Sequence, residues 1–547
     1  MNSKPNLFYK VASEDWEFEQ VHLLNHRTFA EEIPQHQPNA TRRLVDKFHA
    51  ENTYVICVCG KQVVGMVALR GNRPFSLDQK MPGLDGYLPP GRALCEIRLL
   101  AVEPTFRYSE VCRGLFSLVA RLAINRGYDL ALISGTTRQI KLYRHIGFEP
   151  FGPVLGNSAA VFQPMFLSLE AFEEKAEVLW EAGAADEQRR APLNFLPGPV
   201  AVAEGVRTAF EQPPVSHRSR SFTGDMQTVK RNLAELVRAE HVEVLLGSGT
   251  LANDAIAAQL SLLEGPGLIL SNGEFGERLV DHGRRLGLAF ETLEAPWGGR
   301  FEESDLRSFV MENSQAKWLW GVHCETSTGV LNDVALLKSL CAETGTALCL
   351  DCISAIGTLP VDLRGVFLAS GTSGKGLGSY PGLALVFSDH GMAPQPARLP
   401  RYLDLGFYAM CEGTPFTQSS NLLYALKAAL EQTEWSQKLE TVAELGPLVR
   451  RRLAALGYEL IAPEGPHSPA VVTLALPRSI SARSFGWQLQ EAGFLVASRS
   501  EYLLRRNWLQ ICLMGECRRE DVESLLEHLG SAARAQWPAF DKRALPA

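Results

Sequence analysis

A chain of 547 residues is too long for one ordinary domain and long enough for two or three, each with its own core. A hydrophobic share of 46%, a charged share of 21% and a formal net charge of -7 fit a soluble globular enzyme, and no basic block marks a nucleic-acid surface. The polar, acidic start lacks the apolar run of a secretory leader, and no later stretch is long enough to span a bilayer, so a cytoplasmic protein is expected. In chain order, "TYVICVCG", "QVVGMVALRG" and "CEIRLLAV" read as strands. A helix is expected from about Cys112 to Arg126, and "DLALISG" and "AVFQPMFLSL" follow as strands, which makes a mixed α/β unit. The stretch 168–190 is charged, alanine-rich and helical in pattern; "APLNFLPGPV" after it places three prolines in ten residues and stops a helix.

These features divide the chain into a domain over 1–175, a linker over 176–192 and a second body beyond. In that body "VEVLLGSGT" leads into a helix near Leu251, and "GLILSN", "AFETLEA", "KWLWGVHC" and "ALCLDC" are apolar runs separated by helical segments. Such runs imply a mostly parallel sheet covered by helices on both faces. From about 431 helix and strand alternate as a smaller α+β subdomain, which gives a large domain over 193–430 and a small one over 431–547. The eleven cysteines show no paired C-x-x-C spacing, so they read as reduced thiols rather than disulfides or a metal site.

Three separated pieces point to one ligand. "LLGSGTLAND" ends a strand and starts a helix through Gly247–Thr250, a place where free backbone N–H groups can cradle an anion. Asp351 ends the apolar run "ALCLD", as a helix cap or as a carboxylate at the ligand edge of the sheet. Lys375 sits in "SGTSGKGLGSYPG", either on a surface hairpin or where something large and flat must reach its nitrogen. Each has a plain alternative alone; together they fit pyridoxal 5'-phosphate. The lysine amine would bind the aldehyde, which requires it neutral, and the aspartate would keep the pyridine nitrogen protonated.

The motifs "FLPGPV", "SHRSRSF", "GSGTLAN", "SNGEFGERL", "ETSTGVLND", "LDCISAIGTLPVDL", "SGTSGKGLGSYPG" and "GTPFTQSSNLLYALKAAL", in this order, resemble the class V aminotransferases of the alanine–glyoxylate/serine–pyruvate branch. The resemblance covers about 193–530. It implies that Lys375 forms the Schiff base and Asp351 faces the pyridinium, with Ser248, Gly249 and Thr250 holding the phosphate. It also implies that Phe275 stacks on one ring face, Ile353 packs on the other and Thr326 lies near the ring hydroxyl. Thr414 would reach the phosphate of a neighbouring subunit, which implies a homodimer with shared sites. The family's substrate-gripping arginine is replaced by Gln510 in "NWLQICLMGEC". Either Arg499, Arg505 or Arg506 substitutes, or the substrate is not a simple α-amino acid. Lyases and desulfurases also occur among class V enzymes; a desulfurase needs a mobile cysteine, and Cys512 and Cys517 lie in or beside a strand.

In the first half, "CEIRLLAVEPTFRYSEVCRGLFSLVARLAINRGYDLALISGTTRQIKLYRHIGFEPFG" resembles the GNAT acetyltransferases, and the segments before it resemble N-acyl amino acid and acyl-homoserine-lactone synthases. The resemblance implies acyl transfer from a thioester, acetyl-CoA or an acyl carrier protein conjugate, to an amine. Glu96 would be the base through water and Tyr143 the acid, each with a structural alternative. The loop that receives pyrophosphate in the family reads Arg107-Tyr108-Ser109-Glu110-Val111-Cys112, without glycines and with a carboxylate. The expectation is a bifunctional enzyme that joins a transaminase for a small amine and a keto acid to an N-acyltransferase. The alternative is a pyridoxal phosphate enzyme with a non-catalytic sensor domain.

Overall fold

The computed structural model describes residues 7–33, 35–107, 110–157, 160–172, 192–465, 467–477 and 480–536. The chain divides into two units, Met1–Arg189 and Arg190–Ala547. The expected linker at 176–192 lies almost wholly outside the described residues. Among the described residues no helix is long and apolar enough to cross a membrane.

Valine, isoleucine and methionine fill Thr53–Cys59 and Gln62–Arg70, and nearly every side chain in both is buried. Such β-branched stretches suit a sheet with both faces covered. They lie in an eight-stranded sheet ordered Leu7–Val11, Thr53–Cys59, Gln62–Arg70, Leu94–Val102, Leu130–Thr136, Ala160–Ser168, Glu149–Pro150, with Leu155–Asn157 also on Ala160–Ser168. Among the described residues of this sheet only Leu94–Val102 and Leu130–Thr136 pair in parallel, and helix Val111–Asn125 makes the crossover between them. That helix comes close because Gly65 has no side chain: a Cβ there would lie 2.6 Å from Val111 Cγ1.

The second unit carries a seven-stranded sheet ordered His241–Leu246, Leu383–Ser388, Leu368–Thr372, Ala347–Asp351, Trp318–Val322, Gly267–Ser271, Phe290–Glu294. Alternate residues feed two cores: Leu268, Leu270 and Leu350 pack on one face, Ile269, Trp320 and Cys349 on the other. Leu383–Ser388 is antiparallel to both neighbours. The sequence reading did not single this strand out, yet it determines how the chain returns after Leu368–Thr372.

The C-terminal part builds its own core from a three-stranded sheet, Glu459–Leu460, Val471–Ala475 and Trp508–Cys512, against helices Trp435–Ala455, Ala482–Glu491 and Arg519–Gln536. Leu193–Phe195, read from sequence as the start of the large domain, pairs in parallel with Phe494–Val496 and buries Phe195 in this smaller core. A strand so short cannot bury itself, and its partner lies some three hundred residues away (roughly the span of the unit).

Candidate active site

Because Leu368–Thr372 and Leu383–Ser388 are antiparallel neighbours, the chain from 373 to 382 must turn back on itself. Ser373 ties the turn, donating from Oγ to the Tyr380 carbonyl at 2.6 Å and from N to the Leu383 carbonyl at 3.0 Å. Lys375 lies on this turn and sends Nζ to Ser354 Oγ at 2.9 Å, with Phe275's ring centroid 5.2 Å from Nζ. Burial pushes the Lys375 pKa below its ordinary value, against the negative charge of Asp351. The neighbouring glycines answer to the protein's own backbone rather than to a flat ligand. A Cβ on Gly376 would lie 2.3 Å from the Ile356 carbonyl oxygen, and one on Gly374 would lie 2.7 Å from Pro381 Cα. Lys438 Nζ also bonds the Gly376 carbonyl.

Asp351 ends the parallel strand Ala347–Asp351 and is only 3% exposed. Its carboxylate accepts from Asn253 Nδ2 at 2.8 Å and from the Ile353 N–H at 2.9 Å. Burial raises its pKa, and those two bonds together with Lys375 oppose the rise. Asn253 comes from helix Gly249–Leu260, whose N-cap Ser248 is exposed and does not bond the helix's own N–H groups. Ile353 lies against the helix start, where a Gly249 Cβ would stand 2.7 Å from its Cδ1. Thr326 Oγ1 bonds Ser354 Oγ, which joins Thr326 to Lys375 through one hydroxyl. The fold thus gathers Lys375, Asp351, Phe275, Ile353, Gly249 and Thr326. Thr414 lies half-buried in the irregular stretch 411–419, and among the described residues no hydrogen bond links it to them.

These residues fit pyridoxal phosphate on chemical grounds. A lysine whose amine is desolvated, a buried carboxylate, a helix start whose cap hydroxyl is uncommitted and a buried, unpartnered Asn253 Oδ1 supply the donors and acceptors the group requires. Asn253 and Ser354 were not found from sequence. Asn253 falls in the second turn of a helix whose following residues are mostly buried alanine, isoleucine and leucine, and Ser354 in "CISAIG" carries no spacing signal.

The three arginines offered in place of a substrate grip each have another partner. Arg499 donates to Gln490 Oε1 at 2.7 Å, Arg505 pairs with Glu501, and the Arg506 guanidinium lies 3.8 Å from the Trp297 ring centroid. All three lie on or beside the short helix Glu501–Arg506, which buries Tyr502 and Leu503. Gln510 is fully buried and donates to the Thr326 carbonyl at 2.5 Å and Thr473 Oγ1 at 2.8 Å. Cys512 is buried on its strand and its thiol is held well above the usual range by desolvation; burial pushes the Cys517 thiol up to about 12. Neither is a mobile thiolate of the kind a desulfurase requires.

In the first unit the structure corrects the reading of Glu96 as a base. Its carboxylate is fully buried and accepts from the Ser76 N–H at 2.8 Å, Ser76 Oγ at 2.5 Å and the Leu77 N–H at 3.1 Å, with Arg98 Nε at 3.4 Å. It therefore satisfies the orphan donors at the start of helix Ser76–Lys80. Tyr143 packs on Gly135, bonds Gln139 Oε1 at 3.2 Å and has its hydroxyl pKa pushed up to about 12 by burial. The 107–112 loop, described except for residues 108 and 109, holds Arg107 against Glu32 and the Val102 carbonyl. A cluster missed from sequence surrounds Phe48: Arg70 and Arg98 lie 3.9 and 4.8 Å from its ring, and Arg98 is bidentate to Asp46 at 2.9 and 3.1 Å. An apolar crevice lined by Ile97, Phe116, Val119, Ala123, Phe148 and Leu167 opens beneath helix Val111–Asn125.

Residues 20–168 match the family model of the N-acyl amino acid synthase FeeM, and residues 208–379 match that of aminotransferase class-V. The chain is 33% identical over 302 residues to a protein named soluble hydrogenase 42 kDa subunit from Anabaena cylindrica, covering 52% of this chain and 78% of that protein. It is 24% identical to the 2-aminoethylphosphonate–pyruvate transaminase of Lysinibacillus sphaericus, covering 54% and 84%. The alanine–glyoxylate aminotransferase of Nostoc sp. superimposes with a TM-score of 0.57 at 27% identity, over 63% of this chain and 96% of that one. An aminotransferase unit thus stands in one chain with a unit similar to an N-acyl amino acid synthase. Through its second unit, this chain belongs to the class-V aminotransferase family.

Proposed function

We propose that the second unit binds pyridoxal phosphate on Lys375 and moves an amino group between a small amine and a keto acid. The observation that carries this reading is the Lys375 amine, desolvated, bonded to Ser354 Oγ and set beneath Phe275 at the sheet edge where Asp351 is buried. When bound, the cofactor supplies an aldehyde for the amine and a ring that draws electrons from the bond to be broken. Asp351 would hold the proton on the ring nitrogen, and Asn253 and the Ile353 N–H keep its carboxylate oriented for that. Ser248, Thr250 and the N–H groups opening helix Gly249–Leu260 would hold the phosphate, with Phe275 and Ile353 on the two ring faces and Thr326 beside the ring hydroxyl. Lys375 Nζ, its pKa lowered by burial, takes up and returns the substrate proton, and Ser354 Oγ fixes the nitrogen between transfers. Thr414, half-buried in the irregular stretch 411–419, is assigned to the phosphate of a second copy, making a homodimer. Eleven free cysteines support a reducing, cytoplasmic setting.

The first unit transfers an acyl group from a thioester, on coenzyme A or on acyl carrier protein, to an amine. Tyr143, protonated at neutral pH, is placed as the proton donor toward the departing thiolate, its raised pKa making it a weak acid there, and the apolar crevice is the candidate seat for the end of an acyl chain. One observation favours a second reading, a non-catalytic acyl-thioester sensor: among the described residues of the loop, Arg107 is committed to Glu32 and Val102, and Glu110 puts a carboxylate beside Arg113.

The test for the second unit is borohydride reduction of the loaded protein followed by peptide mapping. The peptide containing residue 375 gains the cofactor's mass in wild type and not in Lys375→Ala; a modification elsewhere, or none, ends the reading. Incubation with amines and acyl thioesters separates the two readings of the first unit: an N-acyl product supports transfer, and saturable thioester binding without product supports the sensor.

A further inference from the structure

The polar groups around Lys375 form a chain that ends on one unpaired atom. Lys375 Nζ bonds Ser354 Oγ, Ser354 Oγ bonds Thr326 Oγ1, and the Thr326 carbonyl accepts from Gln510 Nε2. The orientation of the Gln510 amide is fixed by its partners. The Thr326 carbonyl can only accept, and Thr473 gives its hydroxyl proton to the Ser327 carbonyl at 3.1 Å, so it too accepts from Gln510. Both contacts therefore require the nitrogen. Gln510 Oε1 is left fully buried without a donor. Gln510 and Cys512 point to the same side of their strand, and the Cys512 thiol lies within electrostatic reach of Lys375. A buried carbonyl oxygen without a protein donor is costly, so a group that packs against it is favoured when it brings one.

Charge leads to the same conclusion. The carboxyl groups that act on Lys375 are Asp351 and Glu325, and burial pushes the pKa of both up. Glu325 is wholly buried and held by Ser327 Oγ at 2.5 Å and by the N–H groups of Ser327, Gly276 and Phe275 at 3.1, 3.0 and 3.3 Å. Arg499, Arg505 and Arg506 are engaged with Gln490, Glu501 and Trp297. A substrate carboxylate placed beside Gln510 would meet an acceptor oxygen, and among the described residues Gln510 has no guanidinium bonded to it, the Arg278 guanidinium lying instead 5.0 Å from the Phe275 ring centroid.

On the reading that Lys375 carries the cofactor, we infer that the substrate group lodged beside Gln510 is an uncharged or cationic hydrogen-bond donor. The amines preferred are those whose reacting carbon bears a hydroxymethyl or carboxamide group in place of a carboxylate.

The experiment compares three amines on the same carbon frame, alanine, alaninamide and alaninol, with full-length protein loaded with pyridoxal phosphate. Single-turnover conversion is followed by absorbance, and binding to loaded Lys375→Ala is followed by calorimetry. Alaninamide or alaninol is expected to exceed alanine by roughly tenfold or more in both measurements, the direction in which a site built around a hydrogen bond discriminates. Gln510→Arg is expected to reverse the order. Alanine ranking first in wild type, or equal ranking of all three, overturns the inference, and that ranking decides the matter alone if the arginine variant does not fold. Borohydride mapping separates the two failures. Cofactor on residue 375 with alanine preferred sinks only this inference, whereas no cofactor on residue 375 sinks the assignment beneath it as well.

Discussion

Gly376→Ala isolates the close approach that holds the reactive turn. Gly376 lacks a left-handed φ, so alanine is acceptable to the backbone there, and the effect is steric alone. The added Cβ would stand 2.3 Å from the Ile356 carbonyl oxygen, 2.7 Å from Thr358 Cγ2 and 3.0 Å from Gly357 C, whereas ordinary contact begins at 3.4 Å. Two backbone segments must therefore separate by about 1 Å, and neither has a flexible side chain to yield. Overpacking of this kind costs about 1–3 kcal/mol. A shift of about 1 Å one residue from Lys375 lowers a reaction rate on the order of 10²-fold. Urea unfolding and single-turnover amine conversion by the loaded protein measure the two effects. Gly391→Ala is the control, since a Cβ there meets nothing within 4 Å, and its stability should stay within about 0.5 kcal/mol of wild type. If Gly376→Ala matches the control in both midpoint and rate, the turn is not held by backbone contact and the account of its glycines is wrong.

Asp351→Asn should leave the fold intact, because Asn253 can turn its unpartnered Oδ1 toward the new amide, while amine conversion falls on the order of 10²–10³-fold, as for loss of one preorganised electrostatic group; near-full activity removes Asp351 from its role. Burial and the charge of Lys338 push the His323 pKa from 6.5 to about 4. The folded protein thus binds fewer protons than the unfolded chain between those values, so stability falls as pH drops from 6.5 toward 4, by about 3 kcal/mol at most. Urea midpoints across that window should fall less in His323→Asn than in wild type; parallel curves would place the acid sensitivity elsewhere. Glu96→Gln should cost about 1–3 kcal/mol of stability, because an amide cannot accept all the donors at the start of helix Ser76–Lys80. An unchanged unfolding midpoint combined with loss of the acidic limb in the acyl-transfer pH profile would restore Glu96 as a base.

Local order along the chain was legible where the signal is short in range. Apolar runs bounded by turn residues mark Ala347–Asp351 and Gly267–Ser271, and Asp351 and Lys375 were readable because each stands at the end of such a run in a distinctive string. The helix over Val111–Asn125 was legible to within a residue for the same reason. What tertiary structure alone decided is how distant residues meet. The bond from Asn253 to Asp351 joins residues 98 apart, and it exists because the helix start and the strand end share one edge of the sheet. Glu96 and Gln510 look alike in sequence as polar residues within strands. Packing gave one a full set of donors and left the other an unpaired oxygen. Sequence by itself determined the chemistry available to this protein, since residue type and local period depend on near neighbours. Which groups are desolvated, paired or left open was determined by three-dimensional packing, because burial and hydrogen-bond saturation are properties of a whole surrounding shell and not of a string.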